Sequence, residues 1–508
     1  MELEEEPTHR STKDWKVAAI RKKLDICAQK LLEVNQHAAN LEAEACRIRE
    51  ELNAVSAAIM SLPPEILIEI FLLLCESRRK DNAKRLCSEY PPQFLIGSVC
   101  SLWRRVAWGT SRVWRTVAIT FSSRRIETQN QLLQEWMDRS RTSLLDIYLY
   151  SENLGLAEIL FRNLYQPPKE TFAIICATNE RWRTLHTPRF THLWDQFKSG
   201  NAPATSLYEL CLSLPSTEEV QTIDWDLRGS VHLKKLNLEM RGRRGLVINW
   251  RALTHLQICT SPPECLYFLP NCLALESLTI RHGFHSEASL NLNDNGACTT
   301  RLTSLTHLSL CETPMAMENV WSYMTAPNLK DLTLSPTHTP DDCMRWSNSL
   351  IQFIRRSSCS LEKVAVCNVS TTCVHTLLEE ARTVIQLIVV LSIPYGQQVI
   401  SNAPVLNLLN SSLYGSCHLP GLEELCLSLK GDLRTDIDTL LGMIKSRVLP
   451  LLPPRNGQPP GKKIRKIIIM YHDTALMEDV EPDTLRRFYE ELHSLSTSTG
   501  TSIKMVTK

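Results

Sequence analysis

The hexapeptide LTHLQI at Leu253–Ile258 and its near copy LTHLSL at Leu305–Leu310 decide the fold of this chain. Both follow the pattern apolar-x-x-apolar-x-apolar, whose last three positions alternate as in a β-strand. Nine clear copies of this pattern begin at Leu207, Leu233, Leu253, Leu275, Leu305, Leu329, Leu361, Leu422 and Ile464. Weaker copies begin at Trp114, Leu144, Trp182 and Val384. The chain is therefore expected to form many short strands of one kind.

The spacing of the copies indicates what connects the strands. Successive clear copies from Leu207 to Leu329 are separated by 26, 20, 22, 30 and 24 residues, and the intervals widen beyond that point. Helical patterns, such as Leu433–Val448, lie between the later copies. A strand and a connection repeated at this period are typical of a solenoid. We predict an α/β repeat, and residues 118–508 resemble an irregular leucine-rich-repeat array. Chance leucine richness in another α/β fold is the alternative.

The x positions of the pattern predict a binding face. In a strand, side chains next to the leucines point to the opposite side, so the x residues of successive copies share one surface. Their charges are mixed in sign, which favours a protein target over a polyanion. The candidate substrate-binding residues are His255, Gln257, His307, Lys330, Asp331 and Lys363.

A long helix is predicted over residues 15–60, after a flexible N-terminus at 1–14. Apolar or small residues recur there in alternating steps of 3 and 4 from Val17 to Ile59, which is the a/d pattern of a coiled coil. Two interpretations stay open. The helix either lies on the chain's own globular part or pairs with a second copy of the chain. Basic residues concentrate in its first half and acidic residues in its second half, a distribution that suits antiparallel pairing without requiring it.

A helical hairpin follows at residues 61–117. Leu62–Phe71 (LPPEILIEIF) predicts a helix that begins at the prolines, and a second apolar-faced helix is expected over Phe94–Ala107. The segments Leu62–Phe71 and Val99–Ala107 (VCSLWRRVA) resemble the two ends of the F-box. The continuation Trp108–Arg115 (WGTSRVWR) is similar to the ending of the F-box-like family of mushroom-forming fungi.

The resemblance implies docking onto the small adaptor subunit of a cullin–RING ubiquitin ligase of the SCF type. A short hairpin also carries more apolar surface than it can bury within itself, which calls for another surface to cover it. The candidate adaptor-binding residues are Leu62, Pro63, Ile66, Leu67, Ile70, Phe71, Val99 and Trp103.

Composition excludes several other classes. The 508 residues carry 56 basic and 55 acidic side chains, and this balance argues against a nucleic-acid or membrane-surface binder. No phosphate-binding loop, nucleophile elbow or zinc-protease motif occurs, so we expect no enzyme activity, no metal and no cofactor. Eighteen cysteines without a C-x-x-C pair, behind an acidic N-terminus, predict a reducing compartment, either cytoplasm or nucleus.

These patterns together predict a protein-binding adaptor. The hairpin would hold a ligase adaptor, and the repeat array would hold a target protein destined for ubiquitination. The alternative is an interaction scaffold outside any ligase, which self-associates through residues 15–60.

Overall fold

A computed structural model describes most of the chain. It covers residues 9–56, 58–80, 91–121, 126–151, 169–187, 204–213, 225–239, 246–259, 268–281, 300–311, 313–336, 343–367, 371–390, 403–410, 419–429, 433–449, 464–471 and 482–507. The chain divides into two compact units. The first is Met1–Arg115 with Asp138–Arg141, and the second is Thr116–Met137 with Thr142–Lys508.

The first unit is helical. Its four α-helices are α1 His9–Ser56, α2 Pro64–Lys80, α3 Pro92–Val99 and α4 Ser101–Gly109. Its described residues also form short 3-10 turns at Ala58–Ser61 and Ser111–Trp114. The carbonyl of Pro63 accepts the first hydrogen bonds of α2, from the amides of Ile66 and Leu67. The prolines therefore begin α2, as proline does at the first turn of a helix.

Helix α1 is long and exposed along its described length. It has 48 residues, about 72 Å at 1.5 Å per residue, and contains neither proline nor glycine. It begins at His9, within the stretch predicted as a flexible N-terminus, whose residues 1–8 lie outside the described chain. Nine of its twelve exposed large apolar side chains occupy the a and d positions, with exposures from 44% at Val17 to 90% at Val55. These apolar side chains are therefore open to solvent along the described length of the helix.

The second unit is built on one 14-stranded sheet. Its strands are β1 Thr116–Phe121, β2 Leu145–Ser151, β3 Trp182–Thr187, β4 Glu209–Ser213, β5 Lys235–Glu239, β6 His255–Cys259, β7 Ser277–Arg281, β8 His307–Cys311, β9 Asp331–Leu334, β10 Lys363–Cys367, β11 Gln386–Val390, β12 Glu424–Leu429, β13 Lys466–Tyr471 and β14 Ser502–Thr507. Every strand pairs in parallel with its predecessor and successor in chain order.

The repeated hexapeptides form these strands and their core. Each of the nine clear copies contributes a strand, from β4 to β10 and then β12 and β13. The three apolar positions of every clear copy are at most 4% exposed. Burial of a leucine or isoleucine side chain contributes about 1.5–3 kcal/mol, so this row of residues is the main source of stability of the unit. The weaker copies at Trp114, Leu144, Trp182 and Val384 lead into β1, β2, β3 and β11.

Successive copies are joined by one recurring hydrogen-bond arrangement. The carbonyl of Lys234 accepts from the amides of both Thr254 and His255, at 2.9 and 3.0 Å. The equivalent carbonyl of each copy from Tyr208 to Glu423 accepts the same two amides of the next copy. The strands are therefore in equivalent register, although the sequence between them varies in length.

Helices connect the strands in the C-terminal half. Each strand from β8 to β13 leads into a helix: α7 Pro314–Tyr323, α8 Cys343–Ser357, α9 Thr371–Glu380, α10 Ala403–Leu409, α11 Leu433–Val448 and α12 Pro482–Thr499. Each of these helices contacts the next in chain order. Among the described residues, α5 Ile126–Ser140 and α6 Lys169–Cys176 lie earlier in the chain. Between β4 and β8 the described connections contain 3-10 turns and two-residue strands but no α-helix, in keeping with the shorter spacing there. Trp225–Asp226 pairs with Leu246–Val247, and Thr300–Arg301 pairs with Met324–Thr325, as two separate parallel two-stranded sheets.

Two arginines tie neighbouring helices together. The guanidinium of Arg447 on α11 donates to the carbonyls of Leu409, at 2.7 Å, and Leu419, at 3.2 Å. Leu409 is the last residue of α10, whose final carbonyls have no partner within the helix. Arg356 on α8 donates in the same way to the carbonyls of Trp321 and Met324, at the end of α7. None of the helices described is long and apolar enough to cross a lipid bilayer.

Candidate interaction surfaces

The helical module at Pro64–Trp114 has a closed apolar core. Leu67, Phe71, Ile96 and Trp114 are each at most 1% exposed. The ring of Phe71 packs at 5.0 Å between centroids against Trp103, with the two planes tilted by 58°. These side chains hold α2 against α3 and α4.

Buried polar contacts fix the end of the module. Gln93 Nε2 donates to the carbonyl of Val113 at 3.0 Å, and Trp114 Nε1 donates to the carbonyl of Ala107 at 2.8 Å. The guanidinium of Arg139 lies 4.7 Å from the Trp114 ring, within cation–π range. The 3-10 turn that ends the module is thus tied to both preceding helices.

The helix predicted over Phe94–Ala107 is in fact two helices. Cys100 between them is extended, with φ −160° and ψ 171°. Its Sγ accepts a hydrogen bond from the amide of Trp103 at 3.4 Å, so the thiol caps the start of α4. A Cβ on Gly97 would come within 3.2 Å of Trp108 Nε1, so glycine permits the close approach of α3 and α4.

An apolar stripe on α2 faces away from this core. Ile66, Ile70, Leu73 and Leu74 are spaced as one helix face, and their exposures are 47%, 37%, 66% and 41%. We call these four residues the α2 stripe. On α3, Leu95 and Val99 are also exposed, at 42% and 56%. The module therefore presents large apolar side chains to solvent although its own core is complete.

The eight predicted adaptor-binding residues separate into three groups. Leu67 and Phe71 belong to the core, whereas Leu62 and Trp103 are half-buried. The exposed members are Pro63, Ile66, Ile70 and Val99. The prediction did not include Leu73, Leu74 or Leu95, although the i, i+4 recurrence from Ile66 and Ile70 reaches the two leucines of α2.

A continuous row of side chains crosses the other candidate surface, the sheet. Lateral strand pairing places ten residues side by side, one from each of ten strands. All ten are exposed or half-exposed, and we call them the polar row: Glu209, Lys235, His255, Ser277, His307, Asp331, Lys363, Gln386, Glu424 and Lys466. Neighbouring strands lie about 4.8 Å apart, so the row extends over roughly 43 Å.

Opposite charges meet between β9 and β10. Lys363 Nζ lies 2.9 Å from Asp331 Oδ2 within the polar row. Beside it, Lys330 Nζ lies 2.8 Å from Glu362 Oε1, in the reverse orientation. Three of the predicted substrate-binding residues, Lys330, Asp331 and Lys363, are therefore engaged in ion pairs on this face. A target would have to match a local pattern of alternating charge here.

The two Leu-Thr-His-Leu copies form matching sites on the row. Thr254 Oγ1 lies 2.9 Å from His255 Nδ1, and Thr306 Oγ1 lies 2.7 Å from His307 Nδ1. Both imidazoles are exposed, with one strand between them. Partial burial, followed by the charge of Lys235, lowers the pKa of His255. Gln257 is half-exposed on the same strand as His255.

The six predicted substrate-binding residues therefore share one face of one sheet. Among the described residues there is no group of three His, Cys, Asp or Glu side chains placed to hold a metal ion. The arrangement offers exposed hydroxyl, imidazole, amide and paired charged groups, which suit non-covalent recognition.

Comparison with known proteins assigns no family to the chain. No family model matches it, and no curated protein sequence matches it.

Proposed function

We propose that this chain is the substrate-recognition subunit of a cullin–RING ubiquitin ligase of the SCF type. In this proposal the helical module binds the small adaptor subunit through the α2 stripe. The polar row binds a target protein, and the chain has no catalysis or cofactor of its own. It would act in the cytoplasm or the nucleus, as the cysteine pattern predicts.

The α2 stripe is the observation that carries the proposal. Four branched aliphatic side chains on one face of α2 are 37–66% exposed, so the module leaves much of their apolar surface uncovered. Clustered exposed apolar residues of this kind mark protein interfaces. The F-box resemblance of Leu62–Phe71 and Val99–Ala107 supplies the identity of the partner.

The order and pairing of the strands support a leucine-rich-repeat-like solenoid as the second half of the proposal. Each strand of the 14-stranded sheet pairs with the sheet strands before and after it, and the equivalent carbonyl joins successive copies from Tyr208 to Glu423. A solenoid of this kind exposes one side-chain position of every unit in a line, which makes an extended binding surface.

The adaptor half is tested by Ile66→Asp with Ile70→Asp in the full chain. Both side chains are exposed, so the module should fold, and carboxylates buried at an apolar interface should abolish binding to the purified adaptor subunit. Val231→Asp with Leu273→Asp is the matched control, since these residues are 59% and 55% exposed in the other unit. Adaptor binding that survives the first pair of changes would contradict the proposal. Absence of binding by the unchanged protein would favour the scaffold alternative.

The target half is tested separately on the polar row. His255→Ala with His307→Ala leaves every ion pair of the row intact, whereas adding Lys330→Ala also removes the contact with Glu362. We expect the double variant to lose capture of the target while its thermal stability is unchanged. Unchanged capture by both variants would move target recognition away from this face.

A further inference from the structure

We infer that α1 forms an antiparallel two-stranded coiled coil with α1 of a second copy of the chain. The inference does not depend on the proposed ligase role. Its starting point is the exposed a/d surface of α1, where Ile20, Leu24 and Leu41 are 66%, 68% and 57% exposed. A helix about 72 Å long with a continuous apolar surface is stabilised mainly when that surface is packed against another helix.

Charge pattern selects the second copy and its direction. In an antiparallel pair the g positions of one helix face the g positions of the other, and e positions face e positions. The g positions are basic in the first half of α1, at Lys16 and Lys23, and acidic in the second half, at Glu44 and Glu51. The helix is therefore complementary to itself when it is reversed.

One register brings the opposite charges together. With the two-fold axis between residues 32 and 33, Lys16 meets Glu51 of the second copy and Lys23 meets Glu44. The e positions agree, since Arg21 then lies near Glu42 on the other side of the interface. Symmetry repeats each contact, and e and g charges of this kind set the orientation of a coiled coil.

The same register fills the core. Between Val17 and Ile48 every a residue then lies beside a d residue of the second copy, and the five distinct layers of this stretch are Val17 with Ile48, Ile20 with Ala45, Leu24 with Leu41, Cys27 with Ala38, and Leu31 with Val34. Small alanines face Ile20 and Cys27, so neither of these layers combines two large residues. Layers of two large residues alternate with the two alanine layers: Val17 with Ile48 at the end, Leu24 with Leu41 between the alanine layers, and Leu31 with Val34 at the centre.

Other arrangements bring like charges together. A parallel pair in register places Lys16 beside Arg21 of the second copy. Glu44 beside Arg49 only balances that repulsion, whereas the antiparallel register gains attractions without a like-charge pair of Lys, Arg, Asp or Glu. Moving the antiparallel partner by one heptad in one direction places Arg21 near Arg49, and in the other direction places Lys30 near itself. Like charges at these positions destabilise the pair.

The glutamate that Lys23 would contact is accessible in the single chain. Glu44 contacts Arg47 of its own helix at 2.7 Å, and both side chains are more than half exposed, at 51% and 65%. That contact lies on the outer side of the helix, so Lys23 of a second copy can approach the same carboxylate.

Cross-linking tests orientation and register directly. Ala38→Cys in the full chain places a new thiol beside the native Cys27 of the second copy. The two positions are eleven residues apart within one helix, about 16 Å, too far for a disulfide within the chain. Mild oxidation should give a dimer whose cross-linked peptide joins residues 27 and 38. A peptide joining Cys27 to Cys27 would show a parallel pair and overturn the inference.

Charge reversal tests the pairing in solution. Lys23→Glu turns two attractions into two repulsions and should weaken dimerisation of the full chain by about tenfold in sedimentation equilibrium. Adding Glu44→Lys should restore it. Lys22→Glu is the matched control, since this neighbouring position faces outward, and it should leave the dissociation constant within about twofold. A monomer at every concentration, or equal effects of the changes at Lys22 and Lys23, would refute the inference.

Discussion

Arg447→Met should loosen the contact between α10 and α11. Arg447 is only 7% exposed, and its guanidinium satisfies the carbonyls of Leu409 and Leu419. Methionine keeps the apolar stem but leaves both carbonyls without this donor. A hydrogen bond from a charged group contributes about 1.5–3 kcal/mol. Removing the buried guanidinium offsets part of the loss of two such bonds, so we expect a net destabilisation of about 3 kcal/mol.

Hydrogen exchange of the full chain measures this locally. A loss of about 3 kcal/mol corresponds to a more than hundredfold increase in exchange for amides of Ala403–Leu409. Arg465→Met is the control, because Arg465 has a 78% exposed side chain and lies 3.4 Å from Glu423. An exposed pair of this kind contributes at most about 1 kcal/mol, which limits its effect to about fivefold. If both variants exchange alike at α10, the guanidinium does not hold these two helices together.

Three further predictions concern single groups. Burial raises the pKa of the Cys272 thiol to about 12, so Cys272 should resist an alkylating reagent at pH 8 until the chain unfolds. The exposed Cys46 should be modified under the same conditions, and peptide mass spectrometry distinguishes the two cysteines. Lys235→Gln should raise the pKa of His255, because it removes a positive charge that opposes protonation, and NMR titration of the imidazole measures the shift. Leu67→Ala should lower the free energy of unfolding of the helical module by about 2–5 kcal/mol, because Leu67 is fully buried. Urea unfolding followed by tryptophan fluorescence measures this change. An effect below about 1 kcal/mol would mean that Leu67 is not a core residue.

The strands could be predicted from the sequence because the residues that alternate as a strand are the same residues that fill the core. Each hexapeptide alternates as a strand and supplies three buried side chains, so periodicity and burial agree. The last strand, Ser502–Thr507, was missed because it lacks the pattern and shows only the alternation of Ile503 and Met505. Which strands are neighbours follows from the order of the chain, but the ion pair between Asp331 and Lys363 depends on side-chain placement.

The helical module was harder to predict at the level of faces. Helix α2 is apolar on two sides, so spacing alone could not separate buried Leu67 from exposed Ile66. The break between α3 and α4 was missed because Cys100 takes an extended conformation and caps the next helix through sulfur, a role usually taken by Ser, Thr, Asp or Asn. The heptad pattern left open whether α1 packs on its own chain or pairs with a second copy, and the structure adds that its apolar a and d side chains are exposed along the described length.

The shared carbonyl bond between copies has a consequence for how this chain tolerates changes in length. The same hydrogen bonds form whether 20 or 42 residues separate two copies, so the pairing of the strands does not depend on the length of the connection between them. Closing a loop of twice the length costs only about 0.6 kcal/mol more. An insertion in a connection therefore costs little free energy of folding. One residue added inside a hexapeptide, by contrast, moves the remaining side chains of that strand to the opposite face of the sheet. Length variation among descendants of this sequence should accumulate between the hexapeptides and stay out of them.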